Sequence, residues 1–293
     1  MGVGYRHPEY LVTPADLAAA LRDDPRLRVY DCTVYLVPDP PRYRVESGRA
    51  TYHEGHVPGA GFLDLTRGLS DTASKFGFTL PGPAQLESEL RRAGIDDDSR
   101  VVLYSKGHMM WATRVWWMLH SAGHRSVAVL DGGWDAWVAA GLPAETGEAR
   151  PYPPGSVHVT LAASHWADKS AVLAATDGRT ACTINALPAG VYAGTAPVNY
   201  GRKGHIPGSV NLPYERILDD GRFRDAAALE AAFADIGALD GRRVIAYCGG
   251  GISATVDAFA LKLIGRDDVA VYDGSMSEWA ADPSLPLTEG AAP

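Results

Sequence analysis

The chain has 293 residues, 46% of them hydrophobic and 21% charged, with 27 Lys and Arg against 35 Asp and Glu. That length fits one large or two ordinary domains, and the composition excludes a disordered or fibrous polymer. A formal net charge of -8 argues against nucleic acid or an anionic membrane as the main partner.

Read in chain order, the N-terminal segment has no apolar leader core, and no apolar run is long enough to span a bilayer. A first strand ends at Asp31 and is followed by Val34 and Tyr35. The turn Gly55-His56-Val57-Pro58-Gly59-Ala60 precedes an apolar strand, Val101-Val102-Leu103-Tyr104-Ser105. A further strand follows at Val129-Leu130-Asp131-Gly132-Gly133, with Trp137 beyond it. Pro, Gly and Glu then concentrate between Gly141 and Gly155, as in a linker.

After that stretch the pattern returns. Gly204-His205-Ile206-Pro207-Gly208-Ser209 matches the first turn, and Val244-Ile245-Ala246-Tyr247-Cys248 matches the strand ending in Ser105. Val271-Tyr272-Asp273-Gly274-Ser275, with Trp279, matches the third motif. Order and spacing agree, so the chain is a tandem duplication, with expected domains 1–145 and 156–293. Residues 255–264 carry Val256, Phe259, Ala260 and Leu263 at helical spacing, a helix with one core stripe. Strands alternating with helices imply α/β architecture: two domains, each a mostly parallel sheet flanked by helices.

Between the second-half strand and its helix lies Cys248-Gly249-Gly250-Gly251-Ile252-Ser253. Glycine runs suit a loop whose backbone adopts conformations, or meets close approaches, that side chains would block. Such a loop turns successive amides inward, and the helix start adds its positive end. A cysteine at that nest is expected to be a reactive thiolate, and the same amides could hold a second sulfur bound to it. Ser253 reads as a helix cap or as a donor to the sulfur anion. Cys32 and Cys182 read as ordinary small apolar residues. The three cysteines suit neither a disulfide framework nor a metal knuckle, which points to a reduced, cytoplasmic chain without metal or organic cofactor.

Two copies of a domain with GHVPGA or GHIPGS, only the second ending its strand in cysteine before a short loop and helix, resemble the tandem-domain rhodanese family of sulfurtransferases. Leu63-Asp64-Leu65 and Arg114-Val115-Trp116-Trp117 add to the likeness, which runs from Val12 to Leu287. The resemblance implies a ping-pong enzyme of the thiosulfate or 3-mercaptopyruvate type. In it Cys248 takes sulfane sulfur from a donor and passes it to a thiol or cyanide-like acceptor, while the amides of Gly249, Gly250, Gly251, Ile252 and Ser253 hold the persulfide. A persulfide-carrying protein is a further partner class. The first domain, with Ser105 at the matching strand end, is implied to lack the cysteine.

Departures from the family sharpen the expectation. Its members carry cationic residues, or a hydroxyl, in the loop positions where this chain has Gly249 and Gly250. Two arginines that clamp an anionic donor are replaced by Asn185-Ala186-Leu187 and Val191-Tyr192. Arg202 and Lys203 are the nearest substitutes in sequence, although solvated loop charge is the commoner account of such a pair. By resemblance the segment from Lys106 to Trp111 faces the cysteine, with Met110 and Trp111 as walls and His108 or Lys106 as charge; core packing is an equal account of the first two. Tyr35 is the candidate for the opposite wall. His56, His205, Asp131 and Asp273 occur in both halves and read as structural. A phosphatase of related fold needs a loop arginine, and no Arg or Lys follows Cys248 before Lys262. A catalytically decayed binding or regulatory module is the alternative that the missing arginines favour and the intact loop opposes.

Overall fold

A computed structural model describes residues 4–39 and 42–293. The first half contributes β1 (Leu11–Val12), β2 (Leu27–Asp31), β3 (Val34–Asp39), β4 (Arg42–Ser47), β5 (Gly61–Phe62), β6 (Arg100–Tyr104) and β7 (Val127–Leu130). The second contributes β8 (Trp166–Ala167), β9 (Ala181–Asn185), β10 (Val210–Asn211), β11 (Leu218–Asp219), β12 (Arg222–Phe223), β13 (Arg243–Tyr247) and β14 (Val269–Tyr272). Two five-stranded parallel sheets result, ordered β1-β7-β6-β2-β5 and, from the matching edge, β8-β14-β13-β9-β10. The orders coincide strand for strand, as a duplication requires. Two antiparallel hairpins, β3–β4 and β11–β12, lie outside the sheets.

The repeated GH-x-PG turns are fastened identically. His56 and His205 each stack on a tyrosine, Tyr52 at 4.2 Å and Tyr192 at 3.6 Å between ring centroids. Each histidine Nδ1 lies 2.9 Å from that tyrosine's own carbonyl. The next amides, Val57 N–H and Ile206 N–H, donate to Tyr104 and Tyr247 at the ends of β6 and β13. The linker is tied to the first domain: Tyr152 donates to the Gly59 carbonyl, accepts from the Val29 amide and packs its ring on Tyr30.

The second-half helix runs Ala254–Leu263, and it is buried on every side rather than along one stripe. The reason is its neighbour. The first-half helix Met110–Ser121, likewise buried throughout, crosses it at the domain boundary. Trp116 meets Phe259 edge to face at 4.7 Å, and the hydroxyls of Thr113 and Thr255 bond at 2.8 Å. The helix face that would be polar in an isolated domain is therefore covered by the twin domain.

Across this boundary Arg114, fully buried, binds three groups. Its Nη1 donates to the Gly251 carbonyl at 3.1 Å, and its Nη2 donates to the Phe78 carbonyl at 2.8 Å and to Asp273 Oδ1 at 2.6 Å. Asp273 Oδ2 also accepts the Leu80 amide at 2.8 Å. Its counterpart Asp131 accepts the Phe223 amide at 3.0 Å, so each domain offers one strand-end carboxylate to a backbone amide of the other. The structural role read for both aspartates thus includes joining the domains. Phe78 holds a positive φ of 62°, which a bulky side chain adopts only under constraint, and the Arg114 contact supplies one.

Asp257 lies on the second helix one residue beyond Val256, the counterpart of Arg114 once Thr113 and Thr255 are matched. It is fully buried, and both carboxylate oxygens lack a hydrogen-bond partner among the described residues. Burial holds its carboxyl well above the usual 3.8, with Glu215 adding to the rise.

Two outcomes follow for stability. Replacing Arg114 by Met strands a carboxylate at the boundary and should lower unfolding free energy by about 3–5 kcal/mol in urea titration, with Arg114→Lys restoring only part. For Asp257, the folded chain keeps a proton that the unfolded chain releases above 3.8, so stability falls as pH rises through that window. Asp257→Asn should therefore melt higher than the parent at pH 7 and converge with it below about pH 4.

Candidate active site

Cys248 lies one residue beyond β13, at the carboxyl edge of a parallel sheet, and its side chain is 2% exposed. Sites in such folds cluster at that edge because helix starts and loop amides gather there. The loop it begins is fastened by Ser275. The Ser275 hydroxyl accepts the Cys248 amide at 3.1 Å and the Gly251 amide at 3.0 Å, and donates to the Tyr272 carbonyl at 2.7 Å. The Met276 and Ser277 amides donate to the Cys248 and Gly249 carbonyls, and Ser277 Oγ reinforces the second. Ser275 takes a φ of 47°, where the first domain uses Gly133 at 57°. An L residue persists in that conformation because its hydroxyl ties two loop amides together.

The glycines differ in their reasons. Gly251 has a φ of 71°, and a Cβ there would stand 2.6 Å from the Asp273 carbonyl oxygen. A Cβ at Gly249 would overlap the Tyr200 hydroxyl and ring. Gly250 is open, with Gly77 O at 3.5 Å and Ser277 Oγ at 3.9 Å from a built Cβ. Because Ser275 takes the Gly251 amide, that residue drops out of the expected set of sulfur-holding donors. The amides of Gly249, Gly250, Ile252 and Ser253 have no acceptor among the described residues. Ser253 sits at the N-cap position but in helical backbone conformation, and its side chain makes no capping bond. The cap account is thus corrected, and its hydroxyl is left over beside the loop.

The other sequence candidates divide. Arg202 neither lines the loop nor stands in solvent: its guanidinium donates to the carbonyls of Trp279, Ala280, Asp282 and Leu285, pinning the segment after the Trp279 helix. Lys203 is exposed. Lys106 is turned into its own domain, bonded to the Thr51 and Gly55 carbonyls and lying over the Trp134 ring. Tyr35 directs its hydroxyl to Thr51, also within the first domain. Met110 and Trp111 are buried on the boundary helix, Trp111 against Phe78. His108 does reach across: its Nδ1 lies 3.1 Å from the Tyr214 hydroxyl of the second domain.

Sequence reasoning missed Tyr200 and Tyr214. Burial pushes both phenols up, Glu215 adds to the rise at Tyr214, and Cys248 and Tyr43 of the β3–β4 hairpin add to it at both. Nothing in the local pattern around either tyrosine marks it. Ser275 was legible in principle, as the place where the second copy departs from Gly133. Among the described residues no group of three or more His, Cys, Asp or Glu side chains is arranged to hold a metal ion, and no helix is long and apolar enough to cross a membrane.

Comparison with known proteins agrees with this architecture. The Rhodanese-like domain family matches residues 13–140 and 194–282. The SseB protein of Mycobacterium tuberculosis, named as a thiosulfate sulfurtransferase, is 37% identical over 97% of this chain and 98% of its own length. A Pseudomonas aeruginosa protein named as a 3-mercaptopyruvate sulfurtransferase is 38% identical over 96% and 98%. The solved structure of SseA from Escherichia coli, a 3-mercaptopyruvate sulfurtransferase, superposes with a TM-score of 0.81 at 31% identity, covering 91% of this chain and 98% of that one.

The loop geometry separates two glycines experimentally. Gly251→Ala should lower stability by about 1–3 kcal/mol, because positive φ and a backbone clash coincide. Gly250→Ser should change it by less than about 0.5 kcal/mol, both read from denaturant midpoints.

Proposed function

This chain belongs to the rhodanese family and is a sulfurtransferase of two tandem rhodanese-like domains, and we propose that it carries sulfane sulfur as a persulfide on Cys248, in a C-terminal unit of residues 156–293 set against an N-terminal unit of 1–145. The donor is thiosulfate, 3-mercaptopyruvate or a related persulfide, and the acceptor is thiophilic. In the first half-reaction the Cys248 thiolate attacks the donor's sulfane sulfur. A bond forms to Sγ, the donor's bond to that sulfur breaks, and the electron pair leaves with the remainder of the donor. In the second, an acceptor thiolate attacks the terminal sulfur and Cys248 is released as thiolate.

The observation that supports this reading most is the loop itself. Four amides without an internal acceptor, at Gly249, Gly250, Ile252 and Ser253, follow the thiol at the start of a ten-residue helix. Each is a fixed donor that needs no rearrangement when negative charge grows on sulfur, and the helix end adds favourable potential. Cys32, buried in the first domain, is a thiol that burial pushes well above the ordinary 9.0. Ser105 gives the first domain no thiol at the matching strand end, and its hydroxyl donates to the His108 carbonyl instead.

Intact mass spectrometry tests the proposal. Reduced protein incubated with thiosulfate or with 3-mercaptopyruvate should gain the mass of one sulfur atom, and Cys248→Ser should gain none. A gain that persists in Cys248→Ser would move the chemistry elsewhere.

A further inference from the structure

The family's sulfur chemistry needs a way to hold the donor's remainder, and in this chain Arg114, Arg202 and Lys106 are engaged elsewhere while Lys203 is exposed. Arg114 is bound to Asp273 and two carbonyls, Arg202 to four residues' carbonyls, and Lys106 to two. What stands beside the cysteine is aromatic. The Tyr200 hydroxyl and ring lie directly over Gly249, and no hydrogen bond to that hydroxyl is found among the described residues. Tyr214 is buried, with its hydroxyl on His108. Tyr43, an exposed residue of the β3–β4 hairpin, acts on both phenols; it pairs with Pro38, next to the exposed Leu36–Val45 pair. Both phenols stay protonated at neutral pH and so remain O–H donors.

Building on the Cys248 persulfide reading, we propose that Tyr200 and Tyr214 are the donor-recognising residues of this site, and that they select an organic persulfide with an uncharged body over the thiosulfate dianion. The Cys248 thiolate attacks the terminal sulfur of R–S–SH, the S–S bond breaks, R–S⁻ departs, and Cys248–S–SH remains. Tyr200 O–H, above Gly249, donates a hydrogen bond to the departing sulfur. The apolar faces of Tyr200, Tyr214 and Tyr43 cover R. Thiosulfate would bring two charges to a mouth that answers them with neutral donors only, and desolvating such an anion without a guanidinium or ammonium partner is strongly unfavourable.

The test measures loading rates of Cys248 by intact mass with benzyl hydropersulfide, 3-mercaptopyruvate and thiosulfate. Each rate is divided by that of the same donor with N-acetylcysteine, and Cys248→Ser serves as the blank. The wild type should load from benzyl hydropersulfide at least about tenfold faster than from thiosulfate on this scale. Tyr200→Phe, which keeps the ring packing, should slow persulfide loading about three- to tenfold, the worth of one neutral hydrogen bond. Tyr214→Phe, which keeps the face that covers R, should load as the wild type does, whereas Tyr214→Ala, which removes that face, should slow it. Tyr200→Arg should raise thiosulfate loading about tenfold or more relative to the persulfide. Equal normalised loading from thiosulfate and persulfide, or a Tyr200→Phe variant that loads as the wild type does, overturns the assignment and leaves the Cys248 persulfide standing. Absence of sulfur gain from every donor, with Cys248 still open to alkylation, overturns the persulfide reading and this one with it.

Discussion

The Arg114 guanidinium is the constraint through which the two halves become one site. It is carried by a helix of the first domain and bonds the Gly251 carbonyl of the cysteine loop, the Asp273 carboxylate at the end of the neighbouring strand, and Phe78 in the first domain's covering segment. A loop of glycines has little stiffness of its own, because each residue could adopt many backbone states. Here the loop is held from both sides. Ser275 takes two of its amides from within the domain, and Arg114 takes a carbonyl from outside it. A planar fork with several donors can serve three acceptors at once, which a lysine cannot do with the same geometry.

Duplication explains why the site is assembled this way. The two copies keep the same sheet order, the same stacked histidine turns and reciprocal aspartate–amide contacts. Where they differ, the differences gather around Cys248. Ser105 stands for the cysteine, Gly133 for Ser275, and Val256 for Arg114. The last exchange is informative energetically. On one side of the pseudo-symmetric boundary a long cation reaches across and finds partners; on the other a short apolar side chain, Val256, is buried in its place. A symmetric boundary would carry two arginines or none, and only one loop needs to be held.

The fold was largely legible in the sequence because a repeat doubles every signal. Each GH-x-PG turn, apolar strand and Asp-Gly end supports its twin, and the observed strand order follows from βαβ logic. The cysteine loop was legible because strand, thiol, glycines and helix occur in one short window. The tyrosines were not legible. Tyr200 lies 48 residues before Cys248 in an irregular stretch, and its contact with Gly249 is made by tertiary folding alone. Arg202 misled in the opposite way, since proximity to a motif in sequence placed a charge near the site that the fold uses to pin four carbonyl-bearing residues. The one-stripe expectation for the second helix failed because a single domain's pattern does not show the partner that covers its other face.

The three glycines of the loop, taken separately, connect stability to specificity. Gly251 is required by its own φ and by the Asp273 carbonyl, so it answers to the scaffold. Gly249 is required by Tyr200, so it answers to the residue that covers the thiol. Gly250 answers to neither, since a side chain there would meet only ordinary contacts. A loop hydroxyl at Gly250 and a phenol over Gly249 would be two ways of bringing a neutral donor to the same sulfur. This chain has the phenol and leaves Gly250 bare, while its guanidinium groups hold backbone rather than ligand. On the proposed assignment, polar recognition beside Cys248 would rest on amides, hydroxyls and aromatic faces, a set that stabilises charge developing on sulfur without attracting a fully charged donor beforehand.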